Sequence, residues 1–332
     1  MSESTALTQH SRIEAAAAIA DEAAARTNVD RYLRGKAENT RKAQEQDLEA
    51  FAAFLAAVTG EQPDLSQVDA WRPVTHGLVA AFVEQQLHDG YAIATIARQL
   101  STVKKRANLA YQAGALTFEQ HALIRAVTAP SGTEGKRIDA QRTVTRRSTK
   151  KPEAVTLTPS QVAALKVQPD TPQGRRDAVV ITLLLELGLR VGELCALRVE
   201  SFDGDLVKVQ RRKVDKVQTH RLTPDALAAV QRWLATDAPK TGPLLRGSRK
   251  GGSLTHAGLT ERAAYDVVQR CGAAIGVDDL SPHDLRHTWA TRAASSSNVF
   301  ALRDAGGWAS LDMPNRYVAA NAIANEGITL RY

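Results

Sequence analysis

Apolar residues along the chain recur mostly at helical spacing, in two blocks separated by a stretch with almost none. In the first block Leu48, Phe51, Leu55 and Val58 fall on one helix face, with Thr40 as the predicted N-cap and Gly60 as the stop. A second amphipathic run spans about 73–88, a third about 93–111 and a fourth about 117–127. Four helices with short connections and no strand signal predict a small bundle over residues 28–128. Residues 1–27 read as a polar tail and an alanine-rich helix ahead of it.

Residues 129–152, APSGTEGKRIDAQRTVTRRSTKKP, carry almost no large apolar side chain. From Ser131 to Lys151 there are seven Lys or Arg against Glu134 and Asp139. A basic interdomain linker is expected, either a solvated tether or a strap lying on phosphates. A second domain is expected over 153–332. Pro159-Ser160 opens a short helix, 176–187 form a strongly apolar one, and others follow near 223–236, 259–275, 281–294 and 313–321. Only 205–222 alternates, with Leu206, Val207 and Val209 against Lys208 and Gln210, which predicts a strand pair. The expected class is mainly α (α+β): a four-helix N-terminal domain, then a mostly helical domain with a small antiparallel sheet.

A length of 332 residues fits two domains. Forty-three Lys and Arg against thirty-six Asp and Glu leave a net charge of +7, which points towards a polyanionic partner. Two cysteines, Cys195 and Cys271, cannot build a disulfide framework or a four-cysteine zinc site. No acidic cluster of the nuclease type stands at metal-binding spacing, so neither metal nor cofactor is expected. The polar, acid-containing N-terminus is not a secretory signal, and the longest apolar run, Ala178–Leu185, is too short to span a bilayer. A cytoplasmic protein with no membrane contact is expected.

Four scattered features carry candidate chemistry. Leu189-Arg190-Val191-Gly192-Glu193 sets a cation beside a buried apolar run, and its plain reading is an Arg190–Glu193 pair across a helix turn. His283-Asp284-Leu285-Arg286-His287 puts His283 and Arg286 on one helix face, where an anion between them relieves their repulsion; the alternative is a solvated face with a core histidine. Gly306-Gly307-Trp308 precedes Tyr317 by nine residues, and both aromatics are core residues by default. Arg211-Arg212-Lys213-Val214-Asp215-Lys216 is otherwise a charged turn at a sheet edge.

In this order the four features resemble the tyrosine recombinase (phage integrase) family over about residues 30–325. The family's first-box arginine matches Arg190, with its acidic residue at Glu193. The hairpin lysine matches Lys216, eight residues before Pro224, with Lys213 as the fallback. The His-x-x-Arg-His box is His283, Arg286 and His287. The His/Trp position is Trp308, in an Ala305-Gly306-Gly307-Trp308 run similar to the Cre-type branch, and the nucleophile position is Tyr317. Asn39-Thr40-Arg41-Lys42 resembles the start of the family's core-binding domain, and Thr95 to Arg106 a later helix of it. The polar join Ser295-Ser296-Ser297-Asn298 departs from the family's usual hydrophobic helix end.

The resemblance implies metal- and ATP-independent site-specific recombination of duplex DNA through a 3′-phosphotyrosyl intermediate at Tyr317. Arg190 and Arg286 are then the phosphate clamp, since a planar guanidinium binds phosphate bidentately. Lys216 becomes the general acid, His283 the proton acceptor, and Trp308 an N–H donor to the phosphate, with Glu193 and His287 supporting them. A phenol with a pKa of ~10 must lose its proton as it attacks or sit in the arginines' field. Self-association is implied: a dimer on one site and a tetramer in synapsis, passing through a Holliday junction. The apolar tail residues Ile323, Ile328, Leu330 and Tyr332 dock either in cis or on a neighbour. Candidate DNA contacts are Thr40, Arg41 and Lys42 at a helix start and Arg98, Lys104, Lys105 and Arg106 along another helix. A topoisomerase-like enzyme and a silent DNA-binding protein on the same fold are the competing readings.

Overall fold

The computed structural model describes residues 3–142, 154–211, 215–249 and 251–321. It divides into two compact units, Met1–Pro152 and Glu153–Tyr332, predominantly helical with small antiparallel sheets. No helix among the described residues is long and apolar enough to cross a membrane.

In the first unit lie α1 (Glu3–Arg34), α2 (Glu38–Thr59), α3 (His76–His88), α4 (Ile93–Gln112), α5 (Phe118–Ala126) and α6 (Gly132–Gln141). Helices α2 to α5 are the four expected from periodicity. Their apolar stripes meet in one core, where Phe51, Phe82, Ile96, Val103 and Ile124 are buried. The Phe51 and Phe82 rings meet edge-on at 5.1 Å, and Trp71 seals the core with its indole N–H donating to the Leu65 carbonyl at 3.1 Å.

Three expectations change here. Thr40 is not the cap of α2: Ala37 holds that position, and the backbone N–H of Thr40 already donates to the Ala37 carbonyl. The alanine-rich segment continues through the boundary expected at residue 28. Asn28 Nδ2 donates to the Leu109 carbonyl in α4 at 2.7 Å, and the Tyr32 hydroxyl accepts from Gln44 in α2 at 2.7 Å. The expected linker also starts later, because residues 132–141 form α6. Ile138 packs on the common core, and Asp139 accepts from the Ile93 backbone N–H at 3.0 Å, capping α4. One apolar side chain and one cap suffice to dock this turn-rich polar stretch, so composition conceals it. Linker residues 143–152 lie outside the described residues.

The second unit contains α7 (Pro159–Lys166), α8 (Pro172–Leu187), α9 (Val191–Cys195), α10 (Pro224–Thr236), α11 (Glu261–Ala274), α12 (Pro282–Ala294), α13 (Val299–Gly306) and α14 (Asp312–Asn321). Thr158-Pro159, Thr171-Pro172, Thr223-Pro224 and Ser281-Pro282 each start a helix with a hydroxyl cap and a proline. The hydroxyl accepts an orphan backbone N–H, and the proline has none to satisfy. Helix α8 is apolar on nearly every side and forms the axis, with α7, α10 and α12 packed round it. The polar join ends α12 and starts α13, where Asn298 Oδ1 caps the Ala301 N–H at 2.8 Å.

Strands β1 (Phe202–Asp203), β2 (Leu206–Arg211) and β3 (Lys216–Arg221) form an antiparallel sheet in that order. Its register pairs Val207 with His220, Val209 with Gln218 and Arg211 with Lys216. A second pair, β4 (Arg246–Ser248) and β5 (Leu254–Gly258), lies in a glycine-rich stretch that gave no strand signal.

Between α8 and α9 the backbone turns at Gly188, in the left-handed region at φ 58°, under the Trp289 ring. An added Cβ would lie 2.1 Å from that ring. Both the conformation and the packing therefore reject a side chain, and Arg190 takes its direction from this turn. Gly188→Ala is expected to destabilise the unit by about 1–3 kcal/mol. Denaturant unfolding measures it, and an unchanged midpoint refutes the constraint.

Candidate active site

Stretches distant in sequence meet in the second unit. Arg190 sits at the N-cap position of α9, its backbone N–H donating to Glu193 Oε2 at 2.9 Å and its Nη1 to Glu193 Oε1 at 2.8 Å. The plain reading of that motif is thus present, but it does not use up the fork: Nη2 donates to the Gly307 carbonyl at 3.2 Å. Arg286 arrives from α12 and is only 5% exposed. It donates through Nη1 to the Gly188 carbonyl and through Nη2 to the Gly306 carbonyl at 2.6 Å. Its guanidinium stands 4.5 Å from the centre of the Trp308 ring. The Trp308 ring lies 5.9 Å from that of Tyr317, and His287 meets Tyr317 edge-on at 5.3 Å. His287 is itself held by the hydroxyl of Thr156 at 3.3 Å.

Arg190, Glu193, Arg286, His287, Trp308 and Tyr317 are therefore gathered in one place. His283 is exposed in the first turn of α12. Lys216 opens β3, exposed and with no ion pair among the described residues. Lys213 and the tail residues Ile323, Ile328, Leu330 and Tyr332 lie outside the described residues.

The charges are unbalanced in favour of an anion. Burial pushes the Glu193 carboxyl up, but the Arg190 backbone N–H and the Arg211 and Arg190 guanidiniums outweigh it and hold the group below its ordinary range. Arg286 is pushed down to about 9, by burial first and then by the charge of Arg190. Burial also raises the Tyr317 phenol above its ordinary value, with Arg286 opposing. The arginine field is present, but desolvation exceeds it, so the phenol is neutral at neutral pH.

The sequence profile of the phage integrase family matches residues 155–323, which hold every member of this cluster. The chain belongs to the phage integrase family. Among curated relatives, the tyrosine recombinase XerC of Mycobacterium sp. (strain JLS) is 30% identical over 79% of this chain and 82% of its own length. The XerC of Roseiflexus castenholzii is 28% identical over 88% of each chain. Among solved structures, a lambda integrase dimer bound to a COC' core site shares the fold with a TM-score of 0.61, at 16% identity over 92% of this chain and 78% of that one. The XerH recombinase in a post-cleavage complex gives 0.58, at 16% identity over 75% and 70%. Phage integrase membership, with these XerC relatives, makes the chain a tyrosine-type site-specific DNA recombinase.

The DNA-contact candidates separate. Thr40, Arg41 and Lys42 are exposed at the start of α2, with Lys42 paired to Glu38 at 2.6 Å. Arg98 is exposed and paired with buried Asp47. Lys104 donates to the Arg125 carbonyl at 2.8 Å, and Lys105 lies 4.7 Å from the Tyr32 ring centre. Arg106 cannot contact DNA: it shares the inner face of α4 with Val103 and Ala107 and is 5% exposed. Charge alone placed it with its neighbours, whereas helical phase turns it inward.

Sequence reasoning passed over Arg211, which is 0% exposed. Its Nη1 pairs with Glu193 and its Nη2 donates to the Ala305 carbonyl at 2.6 Å. The signal was available in the alternation, since Val207, Val209 and Arg211 share the inward face of β2. Beside it, His220 is pushed down to about 4, by burial first and then by Arg211. A histidine with a depressed pKa stabilises the fold above its unfolded value of ~6.5, and that contribution is lost as pH falls through the folded value. Thermal unfolding scanned from pH 7 to 4 is expected to fall more steeply for the native protein than for His220→Gln. Identical slopes would show that His220 is not held neutral.

Proposed function

We propose that this recombinase cleaves and rejoins duplex DNA at a specific target through a 3′-phosphotyrosyl link to Tyr317, exchanging strands by way of a Holliday junction in a tetramer. The observation that carries it is the gathering of Arg190 and Arg286 with the Trp308 and Tyr317 rings, Glu193 supporting Arg190 and the Gly188 and Gly306 carbonyls supporting Arg286. An excess of buried guanidinium over carboxylate stabilises the charge that accumulates on a five-coordinate phosphorus. The Tyr317 oxygen forms the bond to phosphorus while the bond to the 5′-oxygen breaks. Because burial keeps the phenol protonated, its proton leaves as that bond forms, with His283 as the acceptor. Lys216 gives a proton to the departing 5′-oxygen, and Trp308 supplies an indole N–H to the phosphate. Reversal by another strand's 5′-hydroxyl conserves the bond energy, so no nucleotide is consumed. Exposed Arg41, Lys42 and Arg98 are phosphate contacts in this reading.

The test is a nicked suicide substrate drawn from DNA flanking the gene, with EDTA present. A covalent protein–DNA band is expected, absent in Tyr317→Phe while DNA binding stays nearly intact. Equal loss of binding would make Tyr317 structural. Replacing Arg190 by Lys is expected to slow cleavage at least about a hundredfold, since a point charge does not reproduce the fork; near-normal cleavage would remove it from the clamp. A substrate with sulfur at the bridging 5′ position leaves without a proton. It is expected to restore cleavage to Lys216→Ala and not to Arg190→Ala, whereas rescue of Lys213→Ala instead transfers the acid to that lysine.

A further inference from the structure

The strand carrying Lys216 makes few buried contacts of its own. Along β3 every residue is exposed or half-buried, and Val217 is 57% exposed. Pairing with β2 fixes the strand within its sheet. A general acid, however, must stand within hydrogen-bond reach of an oxygen whose phosphate is held by other elements.

Beside Val207 and Val209 on the inward face of β2, one buried polar side chain ties that sheet to those elements. Arg211 ends β2 directly opposite Lys216. Its Nε donates to Gln218 Oε1 at 2.8 Å, and its Nη2 reaches both the Ala305 carbonyl at 2.6 Å and the neutral His220 at 3.0 Å. Its Nη1 pairs with Glu193, the support of Arg190. Gln218 adds a second tie from β3, donating through Nε2 to the Asp304 carbonyl at 2.9 Å. Asp304 and Ala305 form the last turn of α13, where carbonyls keep acceptor capacity and the dipole favours a cation. Gly307, left-handed at φ 60°, lies so close that a Cβ there would stand 2.8 Å from Arg211 Cδ.

We propose that Arg211, assisted by Gln218, is the positioning residue that sets the lysine arm against the phosphate clamp. The proposal rests on the reading of Lys216 as general acid. Buried as it is, Arg211 touches no DNA and acts through the strand opposite it. Its acceptors come from α9, α13 and β3, and a planar fork with five N–H groups spans them where an ammonium does not. A buried pair kept only for stability has little to recommend it over an apolar side chain. Positioning explains why the site accepts the desolvation of a third guanidinium.

Cleavage rates on ordinary and 5′-sulfur nicked substrates, measured for Arg211→Lys, Gln218→Ala and Lys216→Ala, decide the matter. Arg211→Lys is expected to cleave the ordinary substrate about a hundredfold more slowly and to recover most of that loss with sulfur. Gln218→Ala is expected to show a smaller loss with the same recovery, and Arg211→Lys to add little in the double variant with Lys216→Ala. If sulfur rescues Lys216→Ala but not Arg211→Lys, Arg211 serves the clamp or the fold and the proposal is wrong. Wild-type cleavage by Arg211→Lys also overturns it. Should Lys216→Ala itself resist rescue, the general-acid reading fails and takes the proposal with it. If Arg211→Lys does not fold, the sulfur response of Gln218→Ala decides alone.

Discussion

Glu193 carries the electrostatics of the site. Each of its carboxylate oxygens receives a guanidinium, Arg190 on one and Arg211 on the other, and the backbone N–H of Arg190 completes its acceptor set. Removing a charge from water costs several kcal/mol even after relaxation, so cations this close together need a shared counter-charge. Among the described residues Arg286 pairs with no carboxylate and depends on the carbonyls of Gly188 and Gly306. The result is a cluster with more guanidiniums than carboxylates, which under the proposed function takes its remaining partner from the DNA. A phosphate diester meets that requirement in charge and in its paired oxygens.

Local chemistry made much of this legible. The hydroxyl–proline pairs announce four helices of the second unit, and the period of the apolar residues announces the helices of the first-unit bundle. The candidate site was legible because two arginines, a tryptophan and a tyrosine stand in a family's order and spacing, although each taken alone has a plain structural reading. What stayed hidden depends on contacts between distant stretches. Helix α6 docks chiefly by Ile138, the buried Gly135 and the Asp139 cap, and α13 is capped by Asn298 within a polar run that resembles a loop. Arg106 and Arg211 each sit in a basic run, and only the phase of the element around them shows that they point inward.

Arg106 and Arg211 also show how differently a buried cation can be used. Arg106 lies beneath the surface of a helical bundle, and burial lowers its pKa. Arg211 is surrounded by acceptors drawn from three elements, so its charge is satisfied by geometry. The second arrangement transmits position, because displacing any one acceptor leaves a donor without its partner in a place water does not reach.

That arrangement also bears on how the enzyme comes into being. Glu193, Arg211 and Ala305 belong to parts of the chain synthesised at different times, and the guanidinium is satisfied only when all of them have arrived. A chain whose α13 has yet to dock leaves that cation in water and the clamp unassembled. Under the proposed mechanism, such a chain holds Tyr317 without the cations that serve it. For a DNA recombinase, folding of the unit and completion of the site are then one event.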